Sequence, residues 1–345
     1  MSVRIGILTA GGDCPGLNAV IRAVVRRATN EGAEVFGVRN GWRGLVEADI
    51  EPLERNSVTG ILPRGGTILG TSRINPFDEP DYLVRIRRNW ANYKLNALIV
   101  VGGDGSLKTA RDLWRTEHMP VVGVPKTIDN DVGGTDFTFG FDTAVNIVSE
   151  AVDRLHSTAE SHHRVMVVEV MGRHTGWIAA YGGIAGGADV VLVPEHPFRL
   201  SRICDFIRHR AAQGRPFSII VVSEYAHPRA DENFLTEEVA AEIYRKGQFG
   251  GIGNVLAREI EARTGMQARV TKLGYVQRGG SPSAFDRVLA TRFGVKAYEM
   301  VRAGEWGYMA ALQGNRMISI SLDEALKETK RLDEEIYNVA EIFFG

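Results

Sequence analysis

The stretch at residues 4–24, RIGILTAGGDCPGLNAVIRAV, combines three patterns in succession. Residues 3–9 are mostly apolar and short enough for a buried β-strand, and GGDCPG then turns the chain. Leu17, Val20 and Ile21 follow at the spacing of one helix face. A strand, a glycine-rich turn and a helix in this order are typical of a doubly wound α/β fold.

The same alternation continues along the chain, where short apolar runs are separated by amphipathic stretches of helical period. The runs that predict further strands are residues 97–101, 120–124, 164–171, 189–193, 218–223 and 268–273. Helices are predicted from residue 141 onward and over residues 283–302. Because the strands are apolar almost throughout, we expect parallel sheets with helices on both faces.

Composition excludes several classes of protein. The 345 residues are enough for two domains of roughly 100–200 residues each, and 24% of them are charged, as in ordinary globular proteins. A net charge of −1 argues against a nucleic-acid partner. Two cysteines, Cys14 and Cys204, exclude a disulfide scaffold. With no signal-peptide pattern and no apolar run near the ~18 residues that span a bilayer, we expect a cytoplasmic protein without a membrane partner.

Two glycine-rich segments follow predicted strands, at the sheet edge where doubly wound folds bind ligands. In AGGDCPG, residues 10–16, paired glycines let backbone N–H groups approach an anion, although a tight strand-to-helix turn explains the same residues equally well. In GGDGS, residues 102–106, Asp104 is the only carboxylate, and one carboxylate plus substrate phosphates suits Mg²⁺. A turn role for Asp104 and a helix N-cap role for Ser106 are the structural alternatives.

The segment PKTIDND, residues 125–131, places two carboxylates beside a lysine and a threonine after a buried strand. A carboxylate here can act as a base toward an alcohol, and Lys126 or Thr127 can hold a phosphoryl group. An Asn-Asp turn is the structural alternative.

Arginines also stand near the glycine-rich segments and strand ends, and their guanidinium groups match phosphate oxygens. They are Arg73, Arg164, Arg173, Arg269 and Arg278. Each alone is more often a surface arginine, but five in a neutral protein indicate an anion pocket. Glycine loops, cations, a metal ligand and a base are what phosphoryl transfer requires.

Six segments in this order resemble those of the 6-phosphofructokinase family. They are GGDCPGLNAVIR, RGGTILGTSR, GGDGS, PKTIDND, VEVMGRHTGW and LGYVQRGGSPSAFDR. A single GGDG is weak, because lipid and NAD kinases have similar loops, but six ordered motifs are specific. The resemblance implies two doubly wound, Rossmann-like α/β domains with the active site between them. Residues 1–140 plus about 278–328 would form the ATP and Mg²⁺ domain, and about 141–277 plus 329–345 the fructose 6-phosphate domain.

The resemblance implies transfer of a phosphoryl group from ATP to the 1-hydroxyl of fructose 6-phosphate, a step of glycolysis, with Mg²⁺ as cofactor. Asp129 resembles the general base, Thr127 the contact to the transferring group, and Asp131 a support of that loop. The residues implied at the phosphate-donor site are Gly12, Arg73, Gly103, Asp104, Gly105 and Ser106, with Asp104 holding Mg²⁺. Those implied at the sugar phosphate are Met171, Gly172, Arg173, Glu224, Tyr275 and Arg278.

Arg164 and Arg269 match arginines that reach in from a neighbouring subunit. The resemblance thus implies a homo-oligomer, a dimer or a tetramer, with shared active sites. A sugar-phosphate-binding protein without catalysis is a distant alternative, and the presence of Asp104 and Asp129 argues against it. Tyr275 stands where the common bacterial enzyme has histidine, so it can donate one hydrogen bond but carries no positive charge.

Two residues give opposite indications of the phosphoryl donor. Their combination resembles the mixed-substrate branch of the family. ATP-using relatives carry glycine at the position of Gly105, because a carboxylate there would crowd and repel the α-phosphate of a nucleotide. Pyrophosphate-using relatives carry lysine at the position of Lys126, where an ammonium can stabilise a bare phosphate leaving group. Steric exclusion can prevent binding, whereas an extra lysine only assists it, so we expect ATP and keep pyrophosphate as the alternative.

Overall fold

A computed structural model describes residues 2–232, 234–235, 240–241, 243–244 and 250–343. The chain forms two compact units. Unit 1 comprises Met1–Thr143 and Arg278–Thr329, and unit 2 comprises Ala144–Gln277 and Lys330–Gly345. Within the described ranges, no helix is long and apolar enough to cross a membrane.

The described elements alternate between strand and helix over most of the chain. The strands are β1 (Arg4–Ala10), β2 (Glu34–Val38), β3 (Ile50–Leu53), β4 (Ala97–Gly102), β5 (Val121–Pro125), β6 (Val165–Val170), β7 (Val190–Leu192), β8 (Ser218–Ser223), β9 (Ala268–Lys272), β10 (Tyr308–Gln313) and β11 (Arg316–Ser321). The α-helices are α1 (Leu17–Asn30), α2 (Trp42–Glu47), α3 (Pro80–Tyr93), α4 (Asp104–Glu117), α5 (Phe141–His162), α6 (Trp177–Ala185), α7 (Leu200–Ala212), α8 (Ile252–Thr264), α9 (Ala284–Ala303), α10 (Leu322–Ala325) and α11 (Glu334–Glu341). A 3₁₀ helix covers Gly274–Arg278.

Unit 1 contains a seven-stranded sheet in the order β11-β10-β5-β4-β1-β2-β3. The five inner strands are parallel, as predicted for these sheets, and β4 and β5 are buried along their whole length. The apolar runs predicted β1, β4 and β5 but not β2 and β10. Both edges differ from the all-parallel expectation, because β3 and β11 are antiparallel to their neighbours. The edge strand β3 carries Pro52, which lacks a backbone N–H and is tolerated at a sheet edge. β10 and β11 are joined by a two-residue turn, and only an antiparallel pair permits so short a connection.

Helices α1 and α9 pack closely against each other in unit 1. Gly294 of α9 makes this approach possible, because a Cβ atom there would lie 2.7 Å from the Val20 carbonyl oxygen and 2.7 Å from Ala23 Cβ of α1. At the far end of the pair, the Tyr298 hydroxyl donates a hydrogen bond to Glu31 Oε2 at 2.9 Å. The two helices therefore form one packed layer although they are far apart in sequence.

The N-terminus of α9 contains a fully buried carboxylate. Asp286 Oδ2 accepts hydrogen bonds from the Thr143 backbone N–H at 2.8 Å and the Thr143 hydroxyl at 2.5 Å. Ser283 caps the helix, since its hydroxyl accepts the Asp286 backbone N–H at 3.2 Å. Burial raises the pKa of Asp286 to about 6, although the hydrogen bonds from Thr143 act in the opposite direction.

Unit 2 contains a four-stranded parallel sheet in the order β7-β8-β6-β9. The predicted strands are confirmed within one or two residues at each end. β6, β7 and β8 are buried along their whole length, as expected for strands covered on both faces. Both sheets thus confirm the predicted doubly wound α/β class.

Candidate functional site

Three loops of unit 1 lie side by side, because β1, β4 and β5 are neighbouring parallel strands whose carboxyl ends share one sheet edge. Lys126 Nζ, after β5, donates a hydrogen bond to the carbonyl oxygen of Gly12, after β1. A Cβ atom on Gly11 would lie 3.5 Å from Ser106 Oγ and 3.7 Å from Lys126 Nζ. Gly12 and Ser106, which the resemblance implied at the phosphate-donor site, are therefore close neighbours of Lys126, which was predicted to act on a phosphoryl group.

The GGDGS segment is the start of a helix rather than a loop. Gly103 is the N-cap of α4, and Asp104, Gly105 and Ser106 form its first turn. The unpaired backbone N–H groups and the dipole of a helix N-terminus favour an anion such as a phosphate. A Cβ atom on Gly105 would meet no atom within 4 Å, so space is open beside this turn.

Asp104, the predicted Mg²⁺ ligand, is half exposed and paired with Lys108 one helical turn further on. Lys108 Nζ lies 2.8 Å from Asp104 Oδ2. In the part of the chain that the structure describes, no group of three or more His, Cys, Asp or Glu side chains could hold a metal ion. A single accessible carboxylate nevertheless fits Mg²⁺, which takes one or two carboxylates together with substrate phosphates and water.

The segment from Arg64 to Arg73 has no regular secondary structure and is held against β1 and α1 by side chains. Asn18, which is buried in the first turn of α1, donates to the carbonyl oxygen of Arg64 at 3.1 Å and accepts the Ile68 backbone N–H at 2.8 Å. The Thr71 hydroxyl donates to the Gly11 carbonyl oxygen at 2.6 Å. The exposed Arg73 thus follows a segment attached to the first glycine turn, and sequence reasoning missed the residues that attach it.

The PKTIDND segment forms a compact loop after β5. Asp129 is 3% exposed, and its backbone N–H donates to Thr127 Oγ1 at 3.0 Å. Lys126 is buried as well, whereas Thr127 and Asp131 are partly exposed. The loop therefore combines a nearly buried carboxylate, a hydroxyl and a cation within a few residues.

Arg278 lies against the first glycine turn of unit 1. Its Nη1 donates to the Asp13 carbonyl oxygen at 3.3 Å, and a Cβ atom on Gly12 would lie only 2.3 Å from the same nitrogen. A side chain at position 12 would therefore have to displace the Arg278 guanidinium. The resemblance implies that Arg278 binds the 6-phosphate of the sugar, and this role stays a prediction.

In unit 2, the predicted sugar-phosphate residues follow the neighbouring strands β6 and β8. Glu224 Oε1 accepts the Arg173 backbone N–H at 3.1 Å, and both Gly172 and Arg173 have positive φ, 146° and 50°. Burial raises the pKa of Glu224. Met171 donates its backbone N–H to Gln277 Oε1 at 3.3 Å. Gln277 lies in the 3₁₀ helix that also contains the exposed Tyr275. The buried Glu224 carboxylate thus helps to shape the loop that contains Met171, Gly172 and Arg173.

A second buried carboxylate of unit 2 was missed by sequence reasoning. Glu169 of β6 accepts the backbone N–H groups of Gly251 at 2.8 Å and Gly253 at 2.9 Å, at the N-terminus of α8. Lys272 Nζ, at the end of β9, lies 3.2 Å from Glu169 Oε1. Glu169 therefore joins β6, β9 and α8 just before the strand leads into Met171. A charged residue within an apolar strand was the available signal.

Arg164 and Arg269 lie at the other end of the unit 2 sheet. Arg164 directly precedes β6, and Arg269 is opposite Met166 near the start of β9, whereas Met171 follows the end of β6. At ~3.3 Å per strand residue, Arg164 and Met171 are separated by roughly 20 Å. Arg164 Nε donates to Gln267 Oε1 at 3.0 Å, and Arg269 pairs with Glu261 at 3.4 Å. The structure does not bring these two arginines to Met171, Gly172 and Arg173 of the same chain.

Comparisons with known proteins agree with these features. Residues 4–301 match the family model described as phosphofructokinase. The chain is 51% identical over 346 residues to a pyrophosphate--fructose 6-phosphate 1-phosphotransferase of Streptomyces coelicolor, covering 99% of this chain and 100% of the relative. It is 51% identical over 340 residues to ATP-dependent 6-phosphofructokinase 3 of the same organism, covering 98% and 99%.

A solved phosphofructokinase structure from Saccharomyces cerevisiae superposes with a TM-score of 0.84 at 31% identity. The match covers 99% of this chain and 46% of the yeast chain, so the chain spans about half the length of that relative. Fold, motif positions and sequence identity over almost the whole chain point to one family. The chain belongs to the phosphofructokinase family.

Proposed function

We propose that this protein is a 6-phosphofructokinase that transfers a phosphoryl group from ATP to the 1-hydroxyl of fructose 6-phosphate. The observation that carries the proposal is the meeting of three loops at the carboxyl ends of β1, β4 and β5. They supply a glycine turn, a helix N-terminus suited to phosphate and the nearly buried Asp129. Relatives whose names state this acceptor match over almost the whole chain.

The proposed step requires one proton transfer and one displacement. The oxygen of the 1-hydroxyl attacks the γ-phosphorus of ATP, its proton passes to Asp129, and the bond to the β-phosphate oxygen breaks to release ADP. Thr127 would contact the moving phosphoryl group, with Asp131 supporting the loop. The first turn of α4 would bind donor phosphates through its N–H groups. Asp104 would hold Mg²⁺ with those phosphates, and the ion would neutralise their charge.

The acceptor residues are proposed in unit 2 and in the 3₁₀ helix. Met171, Gly172, Arg173 and Glu224 would hold the sugar phosphate, with Tyr275 and Arg278 toward its 6-phosphate. Support comes from the hydrogen bond that the Arg173 backbone N–H donates to the Glu224 carboxylate, which restrains this loop. Preformed loops reduce the entropy lost when a substrate binds.

The donor preference rests on Gly105 and Lys126. The open space at Gly105 supports ATP, because a nucleotide α-phosphate can be accommodated beside the helix N-terminus. Lys126 donates to the Gly12 carbonyl oxygen, so its ammonium has a structural partner in the glycine turn besides any role toward a phosphate. Pyrophosphate is the second candidate, because a relative of equal identity carries that donor in its name.

A direct test compares ATP and pyrophosphate with fructose 6-phosphate and Mg²⁺, following fructose 1,6-bisphosphate. Turnover with ATP supports the proposal, and turnover with pyrophosphate alone would reverse the donor assignment. Gly105→Asp should lower kcat/KM for ATP far more than for pyrophosphate. Asp129→Asn should lower kcat by about 10²–10⁴ while sugar-phosphate binding persists in calorimetry. As a matched control, Asp323→Asn removes a half-exposed carboxylate of α10 and should leave turnover unchanged.

We further propose a cytoplasmic homo-oligomer, a dimer or a tetramer, in which Arg164 and Arg269 act in the active site of a neighbouring subunit. Their separation of roughly 20 Å from Met171 in the same sheet supports this role. Subunits carrying Arg164→Ala, mixed with subunits carrying Asp129→Asn, should regain part of the activity. No recovery at any mixing ratio would contradict shared sites.

The cysteines, Cys14 and Cys204, are free and buried, which supports a reducing compartment.

A further inference from the structure

Asn130 lies between the two carboxylates of the PKTIDND loop and is completely buried. Its φ is +52°, in the left-handed region of the backbone that residues other than Gly, Asn and Asp seldom adopt. The backbone at this position is therefore strained for most residues. Asparagine adopts this conformation readily because its short polar side chain can form local hydrogen bonds.

The Asn130 side chain forms such hydrogen bonds. Its Oδ1 accepts the Thr138 backbone N–H at 3.0 Å, and its Nδ2 donates to the Asp136 carbonyl oxygen at 3.4 Å. The Thr138 hydroxyl in turn donates to the Thr127 carbonyl oxygen at 2.8 Å. Residues 127–130 are thus connected to residues 136–138 on both sides of Asp129.

Residues 135 and 136 are themselves anchored to β10. Asp136 donates its backbone N–H to the Leu312 carbonyl oxygen at 2.8 Å, and Leu312 donates its own to Thr135 Oγ1 at 3.0 Å. The Gly314 backbone N–H donates to Asp136 Oδ2 at 2.6 Å. Because β10 is the parallel neighbour of β5, a continuous set of hydrogen bonds connects the sheet to the loop from both ends.

We infer that Asn130 is a positioning residue for Asp129, an inference that rests on the proposed phosphofructokinase activity. Asn130 fixes the backbone on the C-terminal side of Asp129, and Thr138 fixes Thr127 on its N-terminal side. A base must stay within hydrogen-bond distance of the hydroxyl it deprotonates. A displacement of about 1 Å can cost about 10²-fold in rate, so a loosened loop lowers kcat without removing any group that binds substrate.

The variant that tests this role is Asn130→Gly, because glycine keeps φ +52° without strain while removing the side chain and its hydrogen bonds. We expect kcat to fall 10- to 100-fold, because the base is displaced, and KM for fructose 6-phosphate to change less than about threefold. The acidic limb of the pH–rate profile should persist, whereas Asp129→Asn should abolish it. Thr138→Val removes the hydrogen bond from the Thr138 hydroxyl to the Thr127 carbonyl oxygen. It should likewise lower kcat while KM changes little.

Lys94→Gly is the matched control, because Lys94 has nearly the same φ, +53°, at the C-terminus of α3. It should leave kcat unchanged. If the parent protein does not phosphorylate fructose 6-phosphate with either donor, the proposed function fails. If the parent is active and both Asn130→Gly and Thr138→Val keep kcat within threefold, the positioning role is overturned although the function stands. A rise in KM at unchanged kcat would overturn it as well. Should Asn130→Gly not fold, Thr138→Val decides alone.

Discussion

Replacing Asp286 by asparagine should make the protein more stable at neutral pH and remove part of its pH dependence. Burial raises the pKa of Asp286 from 3.8 to about 6 in the folded protein. At about 1.36 kcal/mol per pKa unit, the ionised carboxylate lowers the free energy of unfolding by about 3 kcal/mol relative to a neutral group. The asparagine amide oxygen can still accept the two hydrogen bonds from Thr143.

The direction follows from proton linkage. The folded protein binds this proton more tightly than the unfolded chain, so the stabilisation is complete below pH ~4 and is lost as the pH rises through ~6. Between pH 5 and pH 8 the parent should lose about 1.4 kcal/mol from this carboxylate, whereas Asp286→Asn should lose none. The advantage of the variant should therefore grow from about 1.6 kcal/mol at pH 5 to about 3 kcal/mol at pH 8.

Urea unfolding of parent and variant at pH 5, 6, 7 and 8 measures this difference directly. Asp205→Asn, at a side chain that is 75% exposed, controls for the removal of one negative charge and should change stability by less than about 0.5 kcal/mol. A stability difference between Asp286→Asn and the parent that is the same at pH 5 and pH 8 would refute the reasoning. So would a parent that gains stability relative to the variant as the pH rises.

Three further results are expected. Glu169→Ala should lower the free energy of unfolding by about 3 kcal/mol in denaturant titrations, because buried N–H groups at the start of α8 lose their acceptor, and Glu169→Gln should cost less. On the proposed role of Arg278 at the 6-phosphate, Gly12→Ala should raise KM for fructose 6-phosphate by about tenfold, because its Cβ would displace the guanidinium, while the melting temperature changes little. Lys108→Gln should lower the Mg²⁺ concentration for half-maximal activity by about twofold, because Asp104 loses a competing partner; an unchanged concentration would contradict this competition.

Most of the inner strands could be predicted from the sequence because strands buried on both faces are continuous apolar runs, as in ALIVV and SIIVVS. The edge strands β3 and β11 of unit 1 could not, and neither could its inner strands β2 and β10, whereas the edge strands β7 and β9 of unit 2 could. β3 contains Pro52, and β11 mixes polar and apolar residues and is fully buried only at Ile320, so neither resembles the continuous apolar runs of the predicted strands. β11 is antiparallel to β10 because a two-residue turn joins them, whereas the connection from β2 to β3 contains α2, and composition reveals neither geometry.

The positions of the candidate-site loops were predictable because short, ordered motifs follow the strands. Glycine turns after β1 and β4 and the acidic loop after β5 are adjacent because the sheet order makes them so. The residues that hold these loops in place were not predictable. Glu169 and Gly251 are 82 positions apart, and only the tertiary structure brings the carboxylate to the helix N-terminus. Asn130 was interpreted only as part of a turn, because its partners Asp136 and Thr138 carry no motif of their own.

The pairing of α1 with α9 has a consequence for synthesis on the ribosome. Gly294 lets α9 settle onto Val20 and Ala23, yet α9 begins about 250 residues after α1 ends. At translation rates of about 5–20 residues per second, the apolar face of α1 stays uncovered for roughly 12–50 s before α9 is synthesised. During that interval the nascent chain exposes a surface that chaperones recognise, and a ribosome that stalls before α9 would release a fragment prone to aggregate.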